Sequence, residues 1–501
     1  MSQSFSVSKN GTISCEKIKQ AIGKNTKAIV CTHASNVTGD GNDIAQIGTL
    51  CEKYNLYFIL DASQTAGTIE IDMEQNHISA ICFTGHKGLF GPQGTGGIAL
   101  ADGVCVKPLL SGGSGVHSFE RKHPMELPAA LEAGTLNGHG IAGLHAALDW
   151  IKKTGIAAIH EKEMALAEQF QRGIETIPGI HLYGGEKRVA AIVSCNLADL
   201  DSAYVSDCLA EDYGIATRAG VHCAPLMHTH FGTEKQGMVR FSFSCFNTTE
   251  EVEKAVRAMQ DIAAENRGKV TAYVGAGGKT SSIRKRAETL RAEGKRVLIL
   301  TTTKMMVPQE QEIFAAYEQT GQESVISATA SVWQERRAAE KQLKERVQSV
   351  LDTYGCCVAG SLIPGTEKFG MLPEKLMEDL LYLADEILIE ADGSAHMPVK
   401  APAEHEPVLF PYMDEVVIVM GTHAIGKPLR EVCHRVDYAK ELLKCDADKI
   451  VTAADLETLA EQGYAIPIQK QYPWMKISKV TGKDIKLCLT AEKKDKERDK
   501  Q

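Results

Sequence analysis

The stretch ICFTGHKGLFGPQGTGG, residues 81–97, contains the pattern that decides the fold of the first half of the chain. Its apolar start, residues 81–83, is typical of a buried strand, and the glycines and the proline that follow predict a loop. Thr84, His86 and Lys87 lie where the strand passes into the loop. Most lysines are solvated surface charges. A chemical role for Lys87 therefore depends on the other motifs of the chain.

Two apolar runs upstream end in polar residues in the same way. Residues 27–32 precede Asn36, and residues 56–60 precede Asp61 and Gln64. Because ligands bind at the carboxyl ends of the strands in open α/β sheets, three such strands predict one shared site. A lysine that forms a Schiff base and an aspartate that holds a pyridinium nitrogen are the signature of pyridoxal phosphate enzymes.

Five motifs resemble the cysteine desulfurases and selenocysteine lyases of the class V aminotransferase family. In chain order they are SNVTG, DASQTAG, TGHKGLFGPQGTGG, EAGTLNGHG and RAGVHCAPLMH. The resemblance covers residues 11–265 and implies an α/β fold, fold type I of the pyridoxal phosphate-dependent transferases. Residues 1–139 would form the large cofactor-binding domain and residues 140–266 the small α+β domain.

The same resemblance implies how pyridoxal 5′-phosphate is held. Lys87 would form the Schiff base and shuttle the α-proton of the substrate. Asp61 would keep the ring nitrogen protonated, and Gln64 would hydrogen-bond the ring 3′-oxygen. Thr84 and His86 match positions at the cofactor phosphate, and His86 is also included among the catalytic residues.

The substrate contacts are implied in the same way. Asn36 and Arg240 match groups near the substrate carboxylate, Asn36 is also included among the cofactor contacts, and Arg218 among the substrate contacts. Thr135, in AGTLN, matches a residue that reaches the cofactor of the partner subunit, so the resemblance implies a homodimer. The substrate would be L-cysteine or L-selenocysteine.

The residues around Cys223 predict nucleophilic chemistry without the family. Cys223 lies between Arg218, His222 and a proline turn, and nearby cationic groups favour the thiolate. A thiolate is the nucleophile that could take sulfur from cysteine, or selenium from selenocysteine, and leave alanine with a persulfide or selenopersulfide.

Two other interpretations of this loop stay open. His222, Cys223, His228 and His230 are all zinc-ligand types, although their spacing fits no common zinc template. Cys223 could also be a buried structural cysteine, which is an ordinary role for a free thiol.

The first half is expected to be incomplete. The large domain of the family begins well before the strand at 27–32, with elements that carry a phosphate-binding loop and the side chain that stacks on the cofactor ring. None of these elements precedes Gly11. The sequence therefore predicts a truncated large domain that holds the cofactor poorly.

Composition excludes several classes of protein. The chain has 501 residues, 44% hydrophobic and 24% charged, with a formal charge of -9, which gives no electrostatic reason to expect nucleic acid. No apolar run is long enough to span a membrane. The 14 cysteines contain no CxxC and follow no framework spacing, which favours reduced thiols and a cytoplasmic protein.

The second half opens with GKVTAYVGAGGKT, a strand followed by a glycine turn. A helix N-terminus with backbone N–H groups, a lysine and a hydroxyl predicts binding of a nucleotide phosphate with Mg²⁺. The nucleotide contacts are predicted to be Gly275, Gly277, Gly278, Lys279 and Thr280. The full P-loop spacing needs a glycine where Tyr273 stands, so a purely structural glycine turn is the alternative.

Later motifs support the nucleotide interpretation. TTTKM follows a second strand and adds Lys304 to the predicted nucleotide contacts. DEILIEADGSA ends in Glu390 and Asp392, which together with Thr280 are the predicted Mg²⁺ ligands. Carboxylates at a strand end can instead form a solvated turn, and that alternative stays open.

VGAGGKT, TTTKM, IEADGSA, KAPAEHEPV and GTHAIGKPL resemble the YqeC-like accessory proteins of selenium-dependent molybdenum hydroxylases over residues 268–454. The resemblance implies nucleotide binding, with further roles for Lys400 and His405. A P-loop-like α/β domain is predicted for residues 267–480, and a charged tail for residues 481–501.

The two halves together predict a fusion protein that releases sulfur or selenium through Cys223. The nucleotide-binding half, with ATP or GTP and Mg²⁺, would support maturation of a molybdenum hydroxylase or its cofactor. One alternative is an accessory protein whose desulfurase half is inactive and serves for dimerisation or docking. Another is a general cysteine desulfurase for iron–sulfur or thiolation pathways.

Overall fold

The computed structural model describes residues 12–117, 119–184, 187–318 and 330–481. The chain folds as two compact units, Met1–Ile262 and Ala263–Gln501. Within the described ranges no helix is both long and apolar enough to cross a membrane. The predicted domain boundaries stay predictions, and the charged tail after residue 481 lies outside the described residues.

The first sheet of the first unit confirms the three predicted strands. β1 (Ala28–Thr32), β2 (Tyr57–Asp61) and β3 (Ala80–Thr84) run parallel, and β4 (Gly96–Leu100) pairs antiparallel with β3. Alternate residues such as Phe58 and Leu60 are fully buried, as expected for a sheet with one face on the core. The strands therefore end together at Asp61 and Thr84.

The second sheet of this unit is antiparallel, in the order β5 (Ile180–Tyr183), β6 (Ile192–Leu197), β7 (Val239–Ser242). Every residue of the central strand β6 is buried. The described helices are α1 (Cys15–Ala21), α2 (Ile44–Lys53), α3 (Gly138–Thr154), α4 (Ile156–Ile174), α5 (Ser202–Glu211), α6 (Pro225–Phe231) and α7 (Thr249–Asn266), with a 3₁₀ turn at Ala129–Leu131.

The second unit is built on a largely parallel sheet of nine described strands. Its order is β10-β13-β12-β9-β14-β8-β16-β18, with β11 beside β12. The strands are β8 (Lys269–Gly275), β9 (Val297–Thr301), β10 (Lys304–Met306), β11 (Phe314–Tyr317), β12 (Cys356–Leu362), β13 (Lys368–Gly370), β14 (Glu386–Glu390), β16 (Glu415–Met420) and β18 (Lys476–Thr481). A separate parallel pair joins β15 (Val399–Lys400) to β17 (Cys433–His434).

Helices cover both faces of this sheet. Along β8, Val270 and Val274 pack into the larger core cluster, and Tyr273 packs into a smaller one beneath α8, the pattern of a doubly covered α/β sheet. The described helices are α8 (Lys279–Ala292), α9 (Ala330–Tyr354), α10 (Glu374–Leu380), α11 (Leu429–Val432), α12 (Val436–Leu443), α13 (Ala453–Thr458) and α14 (Ile466–Gln471). 3₁₀ turns lie at Gln311–Ile313 and Thr422–Ala424, and a π-helical segment at Leu459–Ala465.

Candidate functional site

The first unit gathers most of its predicted site residues around one cavity. The cavity has a volume of about 480 Å³ and lies beyond the end of β3. The loop after β3 contributes Lys87, and the segment between β6 and β7 contributes Arg218 and Cys223. The predicted residues in its wall are Asn36, Gln64, Lys87, Arg218, Cys223 and Arg240.

Four other predicted residues lie outside this wall. Asp61 ends β2, and its carboxylate is close enough to raise the pKa of Lys87. Thr84 Oγ1 and His86 Nδ1 are 2.6 Å apart at the end of β3. Thr135 is exposed between the 3₁₀ turn and α3. Asp61, Thr84 and His86 therefore lie at the strand ends close to Lys87 in sequence or by charge, and Thr135 lies on a different segment.

The charge state of Lys87 suits Schiff-base chemistry. Partial burial lowers the pKa of its ammonium; Asp61 and Cys223 raise that pKa, and Arg240 and Arg218 lower it. The net shift is downward, which increases the fraction of neutral amine. The neutral amine is the form that attacks a carbonyl carbon.

Arg218 is placed to stabilise a thiolate at Cys223. Its Nη2 donates to Cys223 Sγ at 3.6 Å, and the thiol is exposed. Arg240 Nη1 donates to the backbone oxygen of Asn36 at 2.9 Å, and Asn36 Nδ2 donates to the backbone oxygen of His222 at 2.6 Å. Hydrogen bonds thus connect the Cys223 loop to the segment that follows β1.

A buried histidine pair supports the same loop. His222 Nε2 is 2.9 Å from the backbone oxygen of Arg218, and His222 Nδ1 is 3.4 Å from His228 Nε2. Thr233 Oγ1 lies 2.9 Å from His228 Nδ1. Burial lowers the pKa of His222 to about 4 and also lowers the pKa of His228, so both rings are neutral near pH 7 and hold the loop by hydrogen bonds.

The Cys223 loop also carries backbone strain. His222 has φ 53° and Cys223 has φ 56°, a left-handed conformation that non-glycine residues adopt at a cost and that clusters at functional sites. Within the described residues, no group of three or more His, Cys, Asp or Glu side chains is placed to hold a metal ion.

Glu163 was not predicted as a site residue. It lies on α4, is buried and contributes to the cavity wall with Lys87. Burial raises its pKa to about 7, although the backbone N–H of Cys245 donates to Oε1 at 3.1 Å and lowers it. Sequence offers no signal for this residue, because an acidic position within an amphipathic helix is normally solvated.

The second unit gathers its predicted nucleotide residues around a larger cavity of about 1220 Å³. The cavity lies along α8 and the carboxyl ends of β9, β14 and β16. The predicted residues in its wall are Gly277, Gly278, Lys279, Thr280, Lys304 and Glu390. Most of the residues predicted for the nucleotide and Mg²⁺ therefore lie in this wall.

Glycine is required in the turn that precedes α8. Gly275 and Gly277 have φ of 90° and 80°, and a Cβ on Gly275 would lie 2.2 Å from the backbone oxygen of Val419. Lys279 at the start of α8 is buried, its Nζ donates to the oxygen of Gly275 at 2.6 Å, and burial lowers its pKa. Thr280 Oγ1 donates to Glu390 Oε2 at 2.8 Å.

Asp392 lies beneath the turn and outside the cavity wall. Its side chain is fully buried. Oδ2 accepts from the backbone N–H of Gly275 at 3.1 Å and from the hydroxyl of Tyr464 at 2.7 Å, and Oδ1 pairs with Lys400. Glu390 and Thr280 are therefore the predicted Mg²⁺ ligands that face the cavity, and Asp392 supports the turn.

The loop after β15 places Glu406, instead of His405, at the cavity. Lys400 is fully buried and its Nζ lies 2.7 Å from Glu406 Oε2. Arg435 Nη2 pairs with Glu406 Oε1 at 3.0 Å. Glu406 contributes to the wall, whereas His405 is exposed. The two residues are neighbours in a segment without periodicity, so sequence pattern could not distinguish them.

Comparison with known families agrees with this division of the chain. Residues 3–255, just over half of the chain, match the model of the family aminotransferase class-V, and the chain belongs to that family. Residues 271–437 match the model of the YqeC protein family, so the C-terminal part contains a YqeC domain. The two resemblances stated from the sequence are confirmed.

Relatives of the first half are cysteine desulfurases. A probable cysteine desulfurase of Methanothermobacter thermautotrophicus is 33% identical over 258 residues, which are 50% of this chain and 64% of that protein. A cysteine desulfurase of Shigella flexneri is 31% identical over 50% of this chain and 62% of its own length. The chain thus spans less than two thirds of these relatives.

Solved structures of the same kind match this part of the chain. The apo structure of cysteine desulfurase from Thermococcus onnurineus NA1 has a TM-score of 0.48 and 29% identity, and the match covers 51% of this chain and 64% of that one. The cysteine desulfurase CsdA from Escherichia coli has a TM-score of 0.46 and 29% identity, covering 50% and 62%.

The raised pKa of Glu163 predicts that the stability difference between the parent and Glu163→Gln depends on pH. The neutral carboxyl is favoured in the folded state, so its contribution is present below the unfolded-state pKa near 4.5 and is lost as pH rises through about 7. Because a glutamine side chain does not ionise, Glu163→Gln does not lose stability in this way as the pH rises. We expect the variant to gain about 1 to 3 kcal/mol relative to the parent between pH 4.5 and 7.5.

Urea unfolding of the full chain as a function of pH measures this difference. Glu161→Gln, an exposed position on the same helix, is the matched control and is expected to show no such trend. A stability difference for Glu163→Gln that stays constant with pH would show that the carboxyl is ionised throughout this range.

Proposed function

We propose that the first half catalyses pyridoxal phosphate-dependent release of sulfur from L-cysteine, or of selenium from L-selenocysteine. The observation that carries this proposal is the shared cavity, in which Lys87, Cys223, Arg218 and Arg240 face one space. Membership of the class-V family and the cysteine desulfurase relatives support it. Homodimerisation and a cytoplasmic location are further parts of the proposal.

The residues present fit pyridoxal phosphate. A lysine amine with a lowered pKa and an amide face a cavity of about 480 Å³, beside a carboxylate at a strand end. Lys87 would hold the cofactor covalently, Asp61 its ring nitrogen, Gln64 its ring oxygen, and Thr84 and His86 its phosphate. The bound cofactor supplies an electron sink for the carbon next to the substrate's amine.

The other residues of the cavity bind the substrate, transfer its proton or attack its sulfur. Arg240 and Asn36 bind the substrate carboxylate, and Lys87 moves the α-proton. The Cys223 thiolate, stabilised by Arg218, attacks the substrate sulfur, so a sulfur–sulfur bond forms and the carbon–sulfur bond breaks. The electron pair stays on carbon, which takes a proton and leaves alanine, while Cys223 becomes a persulfide.

For the second half we propose nucleotide binding in support of selenium-dependent molybdenum hydroxylase maturation. The glycine turn, Lys279, Thr280 and Glu390 support binding of ATP or GTP with Mg²⁺. The match to the YqeC family and the presence of both halves in one chain support the link to the hydroxylase or its molybdenum cofactor. An inactive first half that serves only for dimerisation or docking is the competing interpretation.

The first half is tested with two variants of the full chain. We expect Lys87→Ala to abolish the visible absorption band that pyridoxal phosphate produces on binding, because the covalent attachment is lost. Cys223→Ala should keep the band and lose at least about 100-fold of alanine production from cysteine or selenocysteine, because only the acceptor thiol is missing.

Exposed positions on the loop after β4 provide the controls. Lys107→Ala and Cys105→Ala should leave both the band and alanine production unchanged. Equal alanine production by Cys223→Ala and the parent would remove Cys223 from the mechanism. A parent protein that stays colourless with added pyridoxal phosphate would favour the inactive-module interpretation.

The second half is tested by ligand-induced stabilisation. A nucleotide that binds only the folded state adds about 2.7 kcal/mol at a hundredfold excess over Kd, so ATP or GTP with Mg²⁺ should raise the Tm of the unit. Lys279→Ala should lose most of that shift, because it removes a positive charge next to the turn and the contact of that ammonium with the oxygen of Gly275. Lys285→Ala, exposed on the same helix, is the control, and equal shifts in all three proteins would indicate a structural turn.

A further inference from the structure

Two histidines lie in the wall of the large cavity of the second unit. His423 belongs to the 3₁₀ turn after β16, and His396 to the loop after β14. Among the described residues, neither imidazole has a hydrogen-bond or ion-pair partner. Both side chains are exposed, so a ligand in the cavity can reach each ring.

The His423 ring lies beside the glycine turn. A Cβ on Gly421 would be 2.9 Å from His423 Cε1 and 3.0 Å from the Cα of Gly277. The backbones of Gly277 and Gly421 are themselves in close contact, since a Cβ on Gly277 would lie 2.5 Å from the Cα of Gly421. The imidazole is therefore held at the edge of the turn that would receive phosphate groups.

The strained loop after β14 brings His396 to the same cavity. Ala395 has φ 47° and His396 has φ 64°, and both residues contribute to the wall. Two consecutive left-handed non-glycine residues persist only where the surrounding structure holds them. The loop is therefore fixed in a conformation that includes His396 in the cavity wall.

The buried cations near the turn are already engaged by the protein. Lys279 donates to the oxygen of Gly275, and Lys400 is enclosed by Asp392 and Glu406. Glu406 also faces the cavity and, like any carboxylate, would repel a phosphate. The imidazoles of His423 and His396 therefore offer a polyphosphate side-chain N–H donors that no described protein group occupies.

We propose that His423 binds the terminal phosphate of a nucleoside triphosphate held on the glycine turn, and that His396 is a second contact to the same phosphate. The inference rests on the proposed nucleotide binding and extends it by naming residues that distinguish a triphosphate from a diphosphate. An imidazole N–H donates to a terminal phosphate oxygen in a charge-assisted hydrogen bond. The imidazole makes no contact with the diphosphate, because the terminal group is missing.

Calorimetric titration of the full chain with Mg²⁺ and each of ATP, ADP, GTP and GDP tests this. For the nucleotide pair that the parent binds, His423→Ala should weaken triphosphate binding about tenfold or more and change diphosphate binding less than about twofold. His396→Ala should show the same selectivity with a smaller loss. Lys427→Ala, an exposed cation on the segment after His423, is the matched control and should bind both nucleotides as the parent does.

The outcomes separate the two proposals. Parental binding by His423→Ala, or an equal loss for triphosphate and diphosphate at unchanged Tm, overturns the role of His423. The role of His423 is also overturned if His405→Ala weakens triphosphate binding selectively and His423→Ala does not, because His405 is outside the cavity wall. A parent chain that binds none of the four nucleotides disproves nucleotide binding itself, and the inference is lost with it.

Discussion

The buried carboxylate of Asp392 is the group on which the second unit depends. It accepts from the backbone N–H of Gly275, pairs with Lys400 on β15 and accepts from Tyr464 in the π-helical segment. Leaving one charge of such a pair without its partner costs about 3 to 5 kcal/mol, so these elements are held together. The turn before Lys279 is therefore held in shape by residues that lie outside the cavity wall.

The first unit holds its candidate nucleophile by hydrogen bonds to backbone oxygens. Asn36 binds the oxygen of His222, and His222 in turn reaches the oxygen of Arg218, whose guanidinium contacts Cys223. These bonds compensate for the left-handed backbone at His222 and Cys223. The thiol is thus presented on a loop whose conformation depends on the segment after β1 as well as on its own residues.

The sequence predicts those features that depend on local pattern. Strands with apolar runs, glycines that need positive φ and the lysine after them are local signals, and the structure contains all of them. Glu390 and Asp392 show the limit, because both come at the end of the same apolar run, so pattern alone assigns both to the metal. Only the contact with Gly275 reveals that Asp392 supports the turn. Glu163 and Glu406 depend on packing between distant segments, which leaves no local signal.

The two cavities differ in how their cationic side chains are paired. In the first, Lys87, Arg218 and Arg240 face the cavity, and among the described residues none of them forms a salt bridge to a carboxylate, so side-chain charge does the work. In the second, Lys400 is paired with Asp392 and Glu406, and Lys279 donates to a backbone oxygen. Arg284, Lys304 and Lys368 also contribute to its wall. Point charges attract any anion and are screened by salt, whereas directed N–H donors require oxygens at set positions. Both walls therefore carry cationic side chains, and the second adds the N-terminus of α8, whose backbone N–H groups and dipole favour an anion.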